Sequence, residues 1–138
     1  MTFWLLLILL SLCGMAETAY LILCRVQKRH PLCSSDGACR LVLDSKYNSL
    51  FGFHNDVMGF FFYLAVFVDL LLIGTATGPV PVEFLALNAL LIGGAVMSIV
   101  FTFIQWKLIK SWCLWCLMSA CTTWLMAGVF FVAVMRSN

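Results

Sequence analysis

The sequence predicts an all-α membrane protein, a polytopic four-helix bundle with a cysteine-containing loop between helices one and two. Three observations predict it. Of the 138 residues, 64% are hydrophobic and 10% charged, against roughly 45–50% and 25% in soluble domains. Mean hydropathy is +1.06. The apolar residues gather into four runs, each near the ~20 residues that a helix needs to cross the ~30 Å hydrocarbon core.

The first run covers residues 2–24. It lacks the basic start and small-residue cleavage site of a signal peptide and is too long for the apolar part of one, so it reads as a spanning helix. Residues 25–56 form the one long polar stretch, and residues 57–74 are the second helix. A turn around Gly78, Pro79, Val80 and Pro81 leads into the third, residues 82–105. A tight link from Lys107 to Ser111 precedes the fourth, residues 111–135. In lipid the backbone must satisfy its own hydrogen bonds, so each run is helical. Residues 1–138 read as one domain, with no repeat and no soluble module. Four spans put the 25–56 stretch and the Lys107–Ser111 link on one membrane face, with the termini and the proline turn on the other.

A net charge of +2 is too small for a phosphate-binding surface, which excludes a nucleic-acid partner. Polar groups inside the spans are functional suspects because burying them in lipid is costly. Glu17, Asp69, Asn88 and Gln105 are such groups. For Glu17 and Asp69 the simpler reading is a group near a helix end, reaching the interface or pairing with a neighbouring helix. No role is readable for His54.

The seven cysteines carry the chemistry. Cys13, Cys24 and Cys121 lie in or at the ends of apolar helices, where a thiol packs as a small hydrophobe. The other four are paired by spacing: Cys33 with Cys39 in the loop, and Cys113-Leu114-Trp115-Cys116 at the head of helix four. With Ser111 as N-cap, the free N–H groups and dipole of that helix end favour a thiolate, which makes a reactive, reversible disulfide. A zinc site built from the four sulfurs is an alternative, although the loop spacing is not the usual knuckle. Two purely structural disulfides are another. Because both pairs share one membrane face, the loop can fold back and bring Cys39 to Cys113, and electrons can then pass between the pairs by thiolate attack through a mixed disulfide.

The set of motifs resembles the vitamin K epoxide reductase family, and the bacterial and archaeal members most. The likeness rests on Cys33 and Cys39 in the first loop, Ser45 six residues after Cys39, Asn55 at the entry to helix two, Gly59 and Tyr63 within it, and Cys113-Leu114-Trp115-Cys116 opening helix four. The resemblance implies that Cys116 is the thiol nearest a quinone. Cys113 is then its partner, Cys39 the donor to Cys113, and Cys33 the cysteine that exchanges with a separate thioredoxin-fold protein. It further implies that Asn55 contacts a quinone carbonyl and that Ser45 belongs to the site. Trp115 is an aromatic neighbour suited to a flat ligand. The chain departs from the vertebrate pattern at Ala120, where those members have tyrosine, and in a shorter stretch between Cys39 and Asn55.

The expected activity is quinone-dependent thiol–disulfide oxidoreduction supporting disulfide bond formation, with ubiquinone, menaquinone or vitamin K as acceptor and no metal. Within the same chemistry the rival is the DsbB type of quinone-linked thiol oxidase, in which the Cys-x-x-Cys precedes the second pair, the reverse of the order here. From another class, the rival is a non-enzymatic membrane subunit braced by disulfides. Oxidative folding places the cysteine face on the periplasmic or outer side of a cytoplasmic membrane. The basic residues Arg25, Lys28, Arg29, Arg40, Lys46, Lys107 and Lys110 on that face favour the inverted orientation by the positive-inside rule.

Overall fold

The computed structural model describes residues 2–33, 37–50, 52–75 and 79–137. Residues 34–36 of the loop motif and Gly78 of the predicted turn lie outside the described residues.

Four long helices are long and apolar enough to cross a membrane. They are α1 (Thr2–Val26), α3 (Asn55–Thr75), α4 (Val80–Ile104) and α5 (Leu114–Ser137). α1 packs on α3 and α5, and α4 closes the bundle against the same two helices. Their outward faces carry Leu5, Leu9, Phe61, Ile92 and Phe131, all exposed, which suits lipid contact. The core toward the far end is built from Leu7, Tyr63, Val66, Leu70, Leu87, Leu91, Met126 and Phe130. Close approach there depends on glycine. A Cβ at Gly14 would collide with the Tyr63 ring, and one at Gly94 with the Phe62 ring.

The stretch between α1 and α3 is more ordered than an open loop. It holds a short helix, α2 (Ala38–Leu43), a 3₁₀ turn (Lys46–Asn48) and a two-residue antiparallel ladder in which β1 (Ser49–Leu50) pairs with β2 (Phe53–His54). The ladder leads directly into α3, which therefore starts two residues before the apolar run does.

The link before helix four departs most from expectation. The α4 helix continues as a π-helical turn through Gln105–Ile109, and Lys110 reverses the chain with φ 54°. The last helix starts at Leu114, so Ser111 is not its cap. The Gln105 side chain explains the shift. Its Oε1 accepts the Cys113 N–H at 2.9 Å, while its backbone carbonyl accepts the Ser111 N–H at 3.3 Å.

Candidate functional site

After α1 the chain turns back through Lys28 (φ 52°) and runs as an extended strap toward Cys33. Two side chains from the bundle hold the strap at one residue. The Leu32 N–H donates to the Tyr20 hydroxyl at 3.1 Å, and the Trp115 indole N–H donates to the Leu32 carbonyl at 2.7 Å. The Tyr20 and Trp115 rings pack together with centroids 4.5 Å apart. Cys33, one residue on, is joined to Cys39 by a disulfide. Cys39 lies on α2 and is buried with Val42 and Cys113 in a small apolar cluster, around which Cys33, Ile109, Trp115 and Cys116 pack. The loop pair and the helix pair are therefore neighbours on one face.

The Leu117 N–H donates to the Cys113 carbonyl at 3.0 Å, which makes Cys113 itself the N-cap residue of α5. Its thiol is held below the ordinary value of 9.0, first by a hydrogen bond with the Cys116 thiol and then by the backbone N–H groups of Cys116 and Trp115, against an opposing effect of burial. A thiolate at the cap position accepts the free N–H groups that a serine oxygen would otherwise take. Cys113 and Cys116 are not joined to one another.

The two sulfurs of this pair meet different surroundings. Cys113 is fully buried against the loop. Cys116 lines a cavity of about 490 Å³ between α1, α3, α4 and α5, within the usual range for a small-molecule site. Apolar walls come from Leu21, Met58, Phe62, Leu90, Met97 and Phe101, with Gly93 and Gly94 keeping one side open. Asn55 sits at the mouth. Its Nδ2 donates to the Tyr47 carbonyl at 3.3 Å, and its Oδ1 is buried without a partner. Ser45 also lines the cavity, although its hydroxyl donates to the Val42 carbonyl at 2.7 Å. Trp115 is not among the described lining residues. Its indole belongs to the strap.

Residues 5–131 match the family model described as the vitamin K epoxide reductase family. The chain belongs to the vitamin K epoxide reductase family. No curated protein matches it. As a member of this family it is a multi-pass membrane thiol–disulfide oxidoreductase, and its disulfide-bonded loop pair and four spanning helices agree with that class.

Several residues of this vitamin K epoxide reductase homologue were not marked by sequence reasoning as site residues. Tyr63 lines the cavity, and its hydroxyl lies 2.7 Å from the Ser119 carbonyl and 2.9 Å from the hydroxyls of Ser119 and Thr123. Ala120, also buried in the lining, leaves room beside it. Asp56 lines the mouth, with 2% of its side chain exposed, and pairs with Arg25 at 3.0 Å. Gln105, flagged only as an intramembrane polar group, reaches both the cavity and the Cys113 N–H. Glu17, on α1, pairs with a neighbouring helix, as the simpler reading expects: the Thr122 hydroxyl of α5 lies 3.3 Å from its Oε1. Asp69 is buried with Oδ2 unpartnered, and Asn88 is exposed. Signals were present for Asp56 and Arg25, since opposite charges flank the ends of two adjacent apolar runs. For Thr122 there was none. Cys33 and Cys39 are in a disulfide, and among the described residues no group of three or more His, Cys, Asp or Glu gathers to hold a metal.

Proposed function

We propose that the protein relays electrons from a reduced thioredoxin-fold protein through its two cysteine pairs to a membrane quinone. The observation that supports this most is the division of one Cys-x-x-Cys between two environments, with Cys113 against Cys39 and Cys116 on an apolar cavity.

Each step balances as thiol–disulfide exchange. A thiolate of the partner attacks Cys33, and Cys39 leaves as a thiolate. The partner's second thiol resolves the mixed disulfide, so the partner is oxidised and the loop reduced. Cys39 then attacks Cys113 of an oxidised Cys113–Cys116 pair, and Cys116 leaves as a thiolate facing the cavity. Cys33 attacks Cys39, which restores the loop disulfide and leaves two electrons on Cys113 and Cys116. These two electrons pass from the Cys116 side to the quinone as the Cys113–Cys116 disulfide re-forms.

The cavity fits such an acceptor because it is apolar, lined by Phe62 and Phe101 among others, and has a buried polar atom without a partner at Asn55. The Tyr47 carbonyl holds the Asn55 amide so that Oδ1 accepts from a reduced acceptor's hydroxyl, while the second Nδ2 hydrogen is left for a carbonyl. Ser45 shapes the mouth by ending α2, and Trp115 serves the site by holding the strap. Ubiquinone, menaquinone and vitamin K all present the same polar ring. The cysteine face lies on the outer side of a cytoplasmic membrane, where protein thiols are oxidised. The positive charge of that face supports the inverted orientation as the second reading, and labelling of Cys33 by a membrane-impermeant maleimide on intact cells separates the two.

The test is quinone reduction by the purified protein with a reduced thioredoxin-fold donor, followed by ultraviolet absorbance. Thiol-dependent bleaching of the quinone is expected. Its absence with every donor and quinone tried would remove the proposal and leave a disulfide-braced subunit.

A further inference from the structure

One residue of the cavity lining, Asp56, forms an ion pair that the electron relay does not use. Arg25, in the last turn of α1, keeps 33% of its side chain exposed, while Asp56, in the first turn of α3, is all but sealed from the outside. The Asp56 Oδ2 faces Arg25 at 3.0 Å, and its Oδ1 accepts the Val57 N–H at 3.0 Å. The pair thus spans the wall, with the cation toward water and the carboxylate toward the cavity. Asp56 is the one carboxyl group among the described lining residues, and the other titratable groups there are Tyr47, Tyr63 and Cys116. Burying a carboxylate is costly even when it is paired, and a hydrophobic pair of similar size would hold α1 to α3 at no such cost.

Proton balance gives the position a use. Reducing a quinone to its hydroquinone takes two electrons and two protons. The reduced Cys113–Cys116 pair holds two electrons. When Cys113 reacts as the thiolate, the nucleophilic form of a thiol, which its hydrogen bond with Cys116 and two backbone N–H groups favour, the pair carries a single proton, on Cys116. One proton is missing, and it must enter the cavity from water.

Resting on the quinone-reduction reading above, we infer that Asp56 is the proton relay of this cavity, taking a proton from water on the Arg25 side of the mouth and passing it to the ligand oxygen being reduced beside Cys116. Cys113 and Cys116 are oxidised to the disulfide, the ligand gains two electrons and two protons, and Asp56 returns to the carboxylate paired with Arg25. Asp56 pairs with Arg25 of α1 and shares the cavity wall with Cys116 of α5, Tyr47 of the loop and the neutral Gln105 at the end of α4. The Arg25 side chain, one-third exposed, puts the water-facing end of the pair next to Asp56, so the proton enters from that side.

The experiment is a single turnover of the full chain in lipid nanodiscs, pre-reduced with a small dithiol and mixed with a short-chain benzoquinone across a range of pH. Asp56→Asn is expected to slow quinone reduction by roughly 100-fold, the lower end of what a positioned proton carrier supplies, and to change the pH dependence of that step. The rate at which a reduced loop pair reduces the Cys113–Cys116 disulfide stays as it was. Asp56→Glu recovers most of the rate. Arg25→Gln keeps the carboxyl but removes its cation, so it slows the step less than tenfold. If Asp56→Asn folds poorly, the double variant Arg25→Gln/Asp56→Asn leaves no unpaired charge and is expected to be as slow as Asp56→Asn. A rate within threefold of the unmodified protein in either Asp56→Asn variant overturns the relay. So does an equal loss in Asp56→Asn and Arg25→Gln with an unchanged pH profile, which marks a structural brace. No quinone reduction by the unmodified protein overturns the functional reading as well, so the two failures are told apart.

Discussion

The strap around Cys33 and the cavity beside Cys116 are held in opposite ways. The strap, in its approach to Cys33, has no regular secondary structure and hangs on two hydrogen bonds to the backbone of Leu32, with a disulfide beyond. The cavity is walled by four packed helices. Few buried contacts mean a low free energy of local opening, whereas a packed helix wall opens only with the bundle. The difference matches the two ligands proposed. A protein partner needs a segment that yields while a mixed disulfide forms, and a flat apolar ligand needs a preformed slot. The Cys113-Leu114-Trp115-Cys116 motif is the seam, with one sulfur on each side.

Removing a sulfur on either side of that seam gives the largest effects. Cys116→Ala is expected to abolish quinone reduction with any donor, and normal turnover would break the comparison outright. Cys39→Ala is expected to stop reduction by a protein donor while a small dithiol that reaches Cys113 still drives turnover. Equal loss with both donors would show that strap and cavity do not act in sequence.

Asn55→Ala tests the cavity alone. Loss of a buried polar contact costs about 1–3 kcal/mol, so the quinone KM is expected to rise roughly tenfold with loop exchange untouched, and steady-state kinetics with both donors would read it. The depressed Cys113 thiol sharpens the seam further. The alkylation rate of the reduced pair is expected to rise with an inflection below pH 9.0, the ordinary thiol value. Because folding favours the thiolate, the reduced protein is stabilised by this group above the unfolded value and loses that stability as pH falls through the folded one. An inflection at or above 9.0 would mean that the N–H groups at the α5 start do not hold the sulfur.

Trp115→Phe is the mildest. It keeps the ring beside Tyr20 but removes the N–H donated to Leu32, worth about 1 kcal/mol. Amide exchange at Leu32 is then expected to quicken by about fivefold while turnover with a small dithiol holds, and slower exchange would contradict the account of the strap.

Much of the fold and part of the site were legible in the chain. Apolar runs of spanning length announce helices because lipid leaves the backbone no other option, and four of them fix the shared face of the two cysteine pairs by counting. The Cys-x-x-Cys and the loop pair were legible because short spacing alone makes each a candidate disulfide. What failed was local. Ser111 looked like a cap because serine favours that position, yet the Gln105 amide takes the Cys113 N–H and moves the helix start to Leu114. The role of the Trp115 N–H in holding Leu32 was not legible either, because it joins residues 83 positions apart.

By itself the sequence determined a membrane-spanning all-α bundle and that its two thiol pairs share one face, because both depend on length, hydropathy and order along the chain. Tertiary structure alone decided which sulfur meets the loop and which the cavity. It also decided that Asp56 meets Arg25 and that Glu17 meets Thr122. Such pairings join residues far apart in sequence, and only the packing of the helices on one another brings them together.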